Sequence, residues 1–572
     1  MTASRWLGVA LVLATLVSAA WARPPAYLEQ LTKGVRHVAL NQGGPEGNAG
    51  AVSARAAWLA PFLPARHAEA LGLAVTQMQQ GNKAGVEAAL AKMPAWPAVT
   101  LQVLGAAQQV PGSCHLLRAP AANILVDCGM DQGNDEESRE FNAGRFPFDP
   151  KEIDILIVTH GHIDHTGLIP RLTKEGFRGK ILTTATTAEL LKVLLEDSAE
   201  LQQHEGGRKR GGRDKRGRKG GGGDSRKPHP EPLYSMEDVN ATMELVNGLN
   251  YDQVWSDLPG VKVRLKDAGH LPGSAAAEVW VSHGTGETKV VFGGDTGNYP
   301  YPMLRDPQPV EGADVLLLES TYGARVHDVV TLEERYSRFK KSILGAIADR
   351  GVVLIPAFAV GRAETLLYWL GRMKNDGSLS ADVPVVFDTP MGIKTLEIMR
   401  RHPECLDPAE ASAAYSAKRV FVEFPGLHLG LAKGEPVPDG AIVIASSGML
   451  AGGKIVQYVQ QFAREPTTDI LFSGFQAEGT PGRQLQDGAT EVAIQGRRVQ
   501  VRAKVATLDG MSGHADQKML IQWVKSFGKR PGKIIVVHGE PESGQAMAEL
   551  IKSELGIESS FPARGEIFEL TE

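Results

Sequence analysis

Residues 154–165 have the sequence Asp-Ile-Leu-Ile-Val-Thr-His-Gly-His-Ile-Asp-His, in which an apolar strand leads into a cluster of metal-binding side chains. The four candidate ligands fall within six residues and are His160, His162, Asp164 and His165. Gly161 leaves room for a sharp turn where the strand ends. Imidazole and carboxylate groups suit zinc, and a mixed set suits a pair of divalent ions better than one, because a single tetrahedral site needs only four donors. The stretch predicts a metal site at the end of a buried strand.

Two ions need further donors, and four other apolar runs are each followed within a few residues by a histidine or an aspartate. These residues are Asp127, His270, Asp295 and His538. Strand ends are rigid and fix the geometry of ligands that converge at one edge of a sheet. We therefore expect these side chains to meet residues 160–165 at a single edge.

The composition is that of a soluble globular protein of several domains. The chain has 572 residues, of which 22% are charged and 42% hydrophobic, and this excludes collagenous, coiled-coil and wholly disordered proteins. Three scattered cysteines exclude a disulfide scaffold and a cysteine-rich zinc finger, so histidine and carboxylate groups must hold any metal. The formal net charge of −5 provides no global positive field for nucleic acid.

Residues 1–22 have the pattern of a secretory signal peptide, with Arg5, an apolar run and the cleavage motif Ala20-Trp21-Ala22. The apolar run is shorter than the roughly 20 residues that a spanning helix needs. We predict export to the periplasm or the medium. One alternative is that the segment stays uncleaved as a membrane anchor. The other is that the start codon is misassigned, in which case the protein would be cytoplasmic. No other stretch approaches a membrane span, so no stable span is expected after signal cleavage.

The rest of the chain divides by composition. Residues 23–97 are rich in Ala, Leu and Gln and predict a small helical extension, with helices around 54–59, 67–79 and 83–93. After residue 97 strand-like and helix-like runs alternate, as in a layered α/β domain, and the alternation recurs after Tyr322. The residues from Thr331 to Glu334 form a capping box that predicts the start of a helix.

One segment differs from all others. Residues 206–227 contain nine glycines, ten basic residues and two aspartates, a local charge of +8. Such a segment cannot bury a core, so we expect a mobile loop. It is either a solvated insertion or an arm that attracts polyanions.

The order of the candidate ligands resembles the metallo-β-lactamase fold superfamily, an αββα sandwich with two metals at its edge. The resemblance implies that His160, His162 and His270 hold one zinc ion. Asp164, His165 and His538 would hold the other, and Asp295 would bridge the two. Asp127 is expected to orient a ligand without touching the metal.

Five stretches that follow Asp295 resemble the β-CASP group of RNA- and DNA-processing nucleases. They are 318–323 (LESTYG), 355–364 (IPAFAVGRAE), 446–450 (SSGML), 511–516 (MSGHAD) and 537–540 (VHGE). The similarity is to the branch of the cleavage-and-polyadenylation nuclease subunit and its bacterial relatives more than to ribonuclease J. Many family members have alanine where this chain has Gly513, a change that could loosen the loop of His514.

The resemblance implies an α/β fold in which a β-CASP domain (325–495) is inserted into a metallo-β-lactamase domain (98–324, with 206–227 as the basic Gly-rich loop, and 496–572). Nucleic acid would enter the cleft between them. Glu319, His514 and His538 match the three β-CASP motifs.

The implied activity is a dinuclear zinc ribonuclease that uses a metal-bridging hydroxide and leaves a 5′-phosphate and a 3′-hydroxyl. The predicted catalytic residues are His514, as general acid, Glu319, which sets its tautomer, and the ligand Asp164. Glu319 could instead be a buried carboxylate satisfied by backbone donors. The predicted phosphate contacts are Ser446, Ser447, Gly448 and Arg362. Residues 446–448 could instead form a plain tight turn, and Arg362 could instead form an internal salt bridge.

Other functions stay open at this point. DNA, including single strands, or another phosphodiester could replace RNA as substrate, and a non-catalytic RNA-binding scaffold is a further alternative. The sequence leaves the oligomeric state open, a homodimer included. The remaining histidines, His115 and His327 among them, lack ligand spacing and are assigned to the surface or core.

Overall fold

The computed structural model describes residues 65–79, 82–91, 99–133, 136–207, 231–283, 286–328, 331–409, 423–474, 476, 479–508 and 510–571. The predicted signal peptide, the predicted helix around 54–59 and residues 208–227 of the basic segment lie outside these ranges. None of the helices in the described ranges is both long enough and apolar enough for a membrane span.

The described residues form 22 strands, numbered here in chain order. They are β1 (Thr100–Val103), β2 (His115–Arg118), β3 (Asn123–Val126), β4 (Ile155–Ile157), β5 (Lys180–Thr184), β6 (Val246–Leu249), β7 (Val254–Trp255), β8 (Val261–Asp267), β9 (Ala275–His283), β10 (Gly286–Phe292), β11 (Val315–Glu319), β12 (Val353–Pro356), β13 (Val385–Asp388), β14 (Leu427–Leu429), β15 (Ile442–Ala445), β16 (Asp469–Phe472), β17 (Glu491–Ile494), β18 (Arg497–Gln500), β19 (Lys504–Thr507), β20 (Lys533–Val537), β21 (Glu558–Ser560) and β22 (Ile567–Glu569).

Two seven-stranded sheets face each other. Their orders are β22-β1-β2-β3-β4-β5-β6 and β21-β20-β11-β10-β9-β8-β7. Apolar side chains from both sheets, such as Leu101, Ile124, Val279 and Leu317, form one core between them. Helices cover the two outer faces: Leu191 and Leu195 pack on the first sheet, and Trp523 and Ile551 on the second. These layers form an αββα sandwich, which confirms the predicted fold class.

The helices of the described residues have the following bounds. They are Ala65–Gln79, Lys83–Ala91, Glu136–Ala143, Ile163–Thr166, Ile169–Lys174, Ala185–Gly207, Met236–Met243, Leu332–Ala346, Arg362–Asn375, Pro390–Arg401, Ile455–Phe462, Pro481–Gln486, Gln517–Lys525 and Pro541–Leu555. The helix Ala185–Gly207 includes the first two residues of the segment predicted as a basic loop. Thr331 caps Leu332–Ala346 as predicted, because its side chain accepts a hydrogen bond from the Glu334 backbone N–H.

The inserted domain has its own six-stranded sheet, in the order β14-β13-β15-β12-β16-β19, with all its strands parallel. Helices Leu332–Ala346 and Arg362–Asn375 pack on one face through Phe339 and Trp369, and Ile455–Phe462 packs on the other. Strand β19 hydrogen-bonds to this sheet although it lies beyond residue 495, the predicted end of the insertion.

The sheet topology brings several strand ends to one edge of the sandwich. Strands β3 and β4 are parallel, with Val126 opposite Ile157, so Asp127 and His160 follow at the same edge. In the second sheet β10, β11 and β20 are parallel, and Glu319 is the partner of Val537. Strand β8 runs in the same direction as β10, since each is antiparallel to β9. The segments that carry the predicted donors therefore leave their strands on the same side.

Candidate metal centre and active site

Three histidines and one aspartate form the first donor cluster: His160, His162, His270 and Asp295. Nε2 of His160 lies 3.1 Å from Nδ1 of His162. That nitrogen of His162 lies 3.3 Å from Nε2 of His270. Oδ2 of Asp295 lies 3.4 Å from Nε2 of His160 and 3.6 Å from Nε2 of His270. The four donor atoms thus face a common centre.

The second cluster comprises Asp164, His165 and His538, next to the other oxygen of Asp295. The Nε2 atoms of His165 and His538 are 3.2 Å apart. Oδ1 of Asp295 lies 3.3 Å from Nε2 of His165, and Oδ2 of Asp164 lies 3.5 Å from Nε2 of His538. Asp295 therefore presents one oxygen to each cluster. The structure brings together all seven residues that the sequence analysis proposed as ligands.

The donor spacing fits zinc. Two ligands that are each about 2.0–2.1 Å from a tetrahedral zinc ion lie about 3.3–3.4 Å apart, since the edge of a tetrahedron is about 1.63 times its radius. The donor distances in the two clusters lie on either side of that value. In addition, the buried Oδ1 of Asp295 has no hydrogen-bond partner among the described residues. Nitrogen and carboxylate oxygen atoms that face each other at these distances could hold a cation between them.

Hydrogen bonds outside the clusters fix the orientation of two imidazoles. Nδ1 of His165 donates to Oδ2 of Asp127 (2.7 Å), and Nδ1 of His270 donates to the Gly513 carbonyl (3.2 Å). Each Nε2 is then the nitrogen with a free lone pair, which is the nitrogen that faces the cluster. Asp127 is held by the Thr159 N–H and hydroxyl, both at 2.8 Å. Asp127 lies in the position proposed for it, beside a ligand.

The electrostatics favour neutral imidazoles in the first cluster and a protonated His165 in the second. Burial lowers the pKa of His162 to about 4 and holds the pKa values of His160 and His270 well below the usual value. The pKa of His165 is raised despite its burial, because Asp295 and Asp127 flank it. Burial opposes ionisation of Asp295, yet the surrounding histidines hold its pKa well below the usual value. Metal binding needs neutral histidines, so an incoming cation would displace the proton of His165.

Glu319 and His514 form a pair beside these clusters. Nδ1 of His514 donates to Oε1 of Glu319 at 3.1 Å and lies 3.9 Å from Oδ2 of Asp295. Burial alone would lower the pKa of His514, but the Glu319 carboxylate raises it to about 9. Glu319 is 1% exposed and also accepts hydrogen bonds from the backbone N–H groups of Thr296 and Thr321. Backbone donors and His514 therefore share this carboxylate, which combines the two alternatives drawn from the sequence.

Two histidines that the sequence analysis assigned to the surface or core contact this network. His115 is buried beside Ser113, whose hydroxyl lies 3.3 Å from Nε2 of His115 and donates to Oδ2 of Asp127 at 3.5 Å. Nε2 of His327 donates to the carbonyl of His514 at 3.1 Å. His115 pairs with Val126, the residue before Asp127, but this register belongs to the sheet and no spacing in the sequence indicates it. His327 likewise has no signal in the sequence.

The predicted phosphate contacts belong to the inserted domain. Arg362 begins helix Arg362–Asn375, and its Nε and Nη1 are buried without a hydrogen-bond partner among the described residues, so these atoms form no internal salt bridge. A Cβ added to Gly361 would lie 2.4 Å from Leu271, which places this helix start against the loop of His270.

Ser446, Ser447 and Gly448 follow β15 at the carboxyl edge of the inserted sheet. The hydroxyl of Ser447 donates to the Gly452 carbonyl at 3.4 Å, within its own turn, and the Gly448 carbonyl accepts from Nε2 of Gln476 at 3.0 Å. These contacts account for a tight turn.

Three parts of the chain match known protein families. Residues 107–325 match the metallo-beta-lactamase superfamily, and residues 363–485 match the Beta-Casp domain. Residues 498–562 match the Zn-dependent metallo-hydrolase RNA specificity domain. Fold, donor clusters and family matches together define a metal-dependent hydrolase.

Sequence similarity to known proteins shows which kind of metal-dependent hydrolase this chain is. The chain is 34% identical to Ribonuclease TTHA0252 of Thermus thermophilus over 454 residues, which cover 78% of this chain and 94% of that protein. It is 30% identical to Transcription termination factor FttA of Methanosarcina mazei, covering 81% of this chain and 70% of that protein, and 31% identical to FttA of Pyrococcus horikoshii, covering 80% and 69%. The chain belongs to the β-CASP family of metal-dependent nucleases with the metallo-β-lactamase fold.

Proposed function

We propose that this protein is a dinuclear zinc ribonuclease that hydrolyses RNA phosphodiester bonds and leaves a 5′-phosphate and a 3′-hydroxyl. The observation that carries the proposal is the shared carboxylate of Asp295, which faces two donor clusters and lies 3.9 Å from His514. A bridging carboxylate suits two ions, and an acid group beside them suits a reaction with a basic leaving group.

RNA is the proposed substrate class for two reasons. One relative is named a ribonuclease and others are named transcription termination factors. Residues 498–562, which include His514 and His538, match a domain described by its RNA specificity. The second reason concerns the part of the chain that carries the proposed general acid.

His160, His162, His270 and Asp295 would hold one ion, and Asp164, His165, His538 and Asp295 the other. Bound there, two zinc ions would neutralise phosphate charge and make a water acidic enough to attack at neutral pH. The protein supplies rigid strand ends, burial and outer hydrogen bonds such as that between Asp127 and His165.

His514 is the proposed general acid. The departing 3′-oxygen is strongly basic and needs a proton as the phosphodiester bond breaks. Glu319 accepts from Nδ1 of His514, so the proton for the leaving group is carried on Nε2. Glu319 is in turn held by two backbone N–H groups, which keeps the imidazole in one orientation.

The test compares labelled RNA and DNA of one sequence and measures zinc per chain. We expect RNA cleavage, close to two zinc ions per chain, and loss of both cleavage and metal in His160→Ala and Asp295→Ala. His283→Ala is the matched control, because His283 lies in the β9–β10 hairpin and contacts Thr288. Folded, zinc-loaded protein that leaves RNA intact would contradict the proposal. Preferential cleavage of DNA would mean that DNA, and not RNA, is the substrate.

We also propose that the protein is exported, on the basis of residues 1–22. The mature N-terminus, determined by mass spectrometry on fractionated cells, tests this. A chain that begins after Ala22 outside the cytoplasm is expected, and an intact Met1 in the cytoplasm would overturn it.

A further inference from the structure

A buried arginine of the inserted domain crosses to the metallo-β-lactamase domain. Arg335 lies in helix Leu332–Ala346 and is 1% exposed. Its Nη1 donates to the Gly510 carbonyl and its Nη2 to Oδ1 of Asn298, both at 2.7 Å. A planar guanidinium can serve two acceptors at fixed angles, whereas a lysine ammonium cannot reproduce that fork.

Asn298 connects Arg335 to the loop of His514 through hydrogen bonds. Its side-chain amide donates to the Ser512 carbonyl at 3.0 Å, and its backbone N–H donates to the Gly513 carbonyl at 2.9 Å. Asn298 thus holds both residues that precede His514. It is itself buried, so solvent offers little competition for these bonds.

The loop of His514 has its own ties to the segment that contains Asp295. The Ala515 N–H donates to the Thr296 carbonyl at 2.9 Å, and Gly297 and His514 form an isolated β-bridge. Arg335 therefore lies at one end of a set of hydrogen bonds that ends at the carbonyls of Ser512 and Gly513, the two residues before His514. The guanidinium touches neither cluster of metal donors.

We propose that Arg335 is a positioning residue which, through Asn298, holds His514 in place for protonation of the leaving group. This inference rests on the proposed function, because it assumes that His514 is the general acid. It follows that the inserted domain controls a chemical step of the other domain, because a shift of helix Leu332–Ala346 would displace the loop that carries the acid.

The experiment uses two substrates that differ in their need for an acid. One is an RNA oligonucleotide, whose 3′-oxygen must be protonated as it leaves. The other is uridine 5′-(p-nitrophenyl phosphate), whose nitrophenolate leaves without a proton. Loss of acid positioning slows the first and spares the second, whereas a general structural defect slows both.

The variants are Arg335→Lys and Asn298→Asp, with His514→Ala as reference. Asn298→Asp keeps an acceptor for Arg335 but removes the donor to Ser512, so it breaks the connection even if Arg335→Lys fails to fold. Arg338→Lys is the matched control, because Arg338 lies on the same helix and pairs only with Glu334 at the surface in the described structure. Zinc content and melting temperature are measured for every variant.

We expect both test variants to lower kcat on RNA by at least about tenfold, since displacement of a reacting group by about 1 Å can cost about 100-fold. KM, zinc content and turnover of the p-nitrophenyl ester should stay within about twofold of the parent.

Equal slowing of both substrates, or no slowing, would overturn the role of Arg335. If His514→Ala itself slows both substrates equally, the general acid is wrong and the inference fails with it. If only His514→Ala is selective, the proposed function stands and the role of Arg335 alone is refuted.

Discussion

Asp127 and His165 form a 2.7 Å hydrogen bond that connects the end of β3 to the second donor cluster. The same carboxylate accepts from the backbone and hydroxyl of Thr159, the residue before His160. One buried side chain therefore orients an imidazole and anchors the turn on which four donors lie. Its left-handed backbone (φ +57°) lets the chain leave the strand sharply at this point.

Asp127→Asn should weaken zinc binding at the second cluster, because the amide offers one fewer acceptor to Thr159 and His165. Loss of an outer-shell partner of this kind typically costs about 10–100-fold in metal affinity. Zinc per chain, measured at graded chelator concentrations, should show one ion lost early and the other retained. Asp314→Asn is the control, since Asp314 accepts from the Lys289 N–H at the opposite end of β11. Parallel loss of both ions would contradict the selective effect and show that Asp127 also supports the first cluster through Thr159.

Gly513→Ala should be tolerated, although the glycine departs from the family pattern. The added Cβ would lie 3.6 Å from the nearest atom, Cε1 of His270, which is an ordinary contact. Because an alanine restricts the unfolded chain, the free energy of unfolding should rise by about 0.4–1 kcal/mol, with turnover unchanged. Thermal melts and RNA assays check this. Gly297→Ala is the contrasting variant, because its Cβ would come within 2.0 Å of the Gly269 carbonyl oxygen and should destabilise the chain.

A fall in melting temperature for Gly513→Ala would mean that the loop of His514 is less well held than its bonds to Asn298 and His270 indicate. The sequence analysis expected a looser loop at this glycine. The structure instead places the Gly513 carbonyl between two donors, the Asn298 backbone N–H and Nδ1 of His270, and these hydrogen bonds hold the loop without an alanine side chain.

The metal donors were predictable from sequence, because each follows an apolar strand and parallel strands bring such positions to one edge. The spacing of His160, His162 and His165 is local and needs no knowledge of packing. Arg335 and Asn298 were not predictable, since they are 37 positions apart and meet only where the two domains pack. His115 was missed for a related reason: its neighbour Asp127 is across a strand pair, and no spacing rule relates them.

Deletion of residues 208–227 should weaken RNA binding at low salt and reduce its salt dependence. The deleted residues carry the ten basic side chains of the segment, and the cut leaves helix Ala185–Gly207 intact. Each phosphate contact that is lost should reduce the slope of log affinity against log salt by about 0.7 for a single strand. Fluorescence anisotropy over a salt series measures this. The control replaces the segment with a Gly-Ser sequence of the same length. Equal RNA affinity of the parent and this control at low salt would show that the basic residues do not contribute to binding.

Glu364→Gln should change how stability depends on pH. Burial raises the pKa of Glu364 to about 8 from 4.5, although backbone N–H groups at the start of its helix oppose the shift. Between these two pH values the folded chain keeps a proton that the unfolded chain releases, so stability falls as pH rises through this window. Glutamine is neutral throughout and removes the effect. The variant should match the parent near pH 5 and exceed its free energy of unfolding by roughly 1–4 kcal/mol at pH 8.

Denaturant unfolding of the parent and the variant between pH 5 and pH 8.5 measures the difference in their free energies of unfolding. The metal ligands are the same in both proteins, so their pH dependence cancels in this difference. Glu397→Gln, at an exposed position of helix Pro390–Arg401, is the matched control and should leave the difference at zero. A constant difference between parent and Glu364→Gln across the whole pH range would mean that Glu364 is already ionised in the folded chain. The carboxylate would then have to be paired with a cation at the start of its helix, where Arg362 has two buried nitrogens without a described partner.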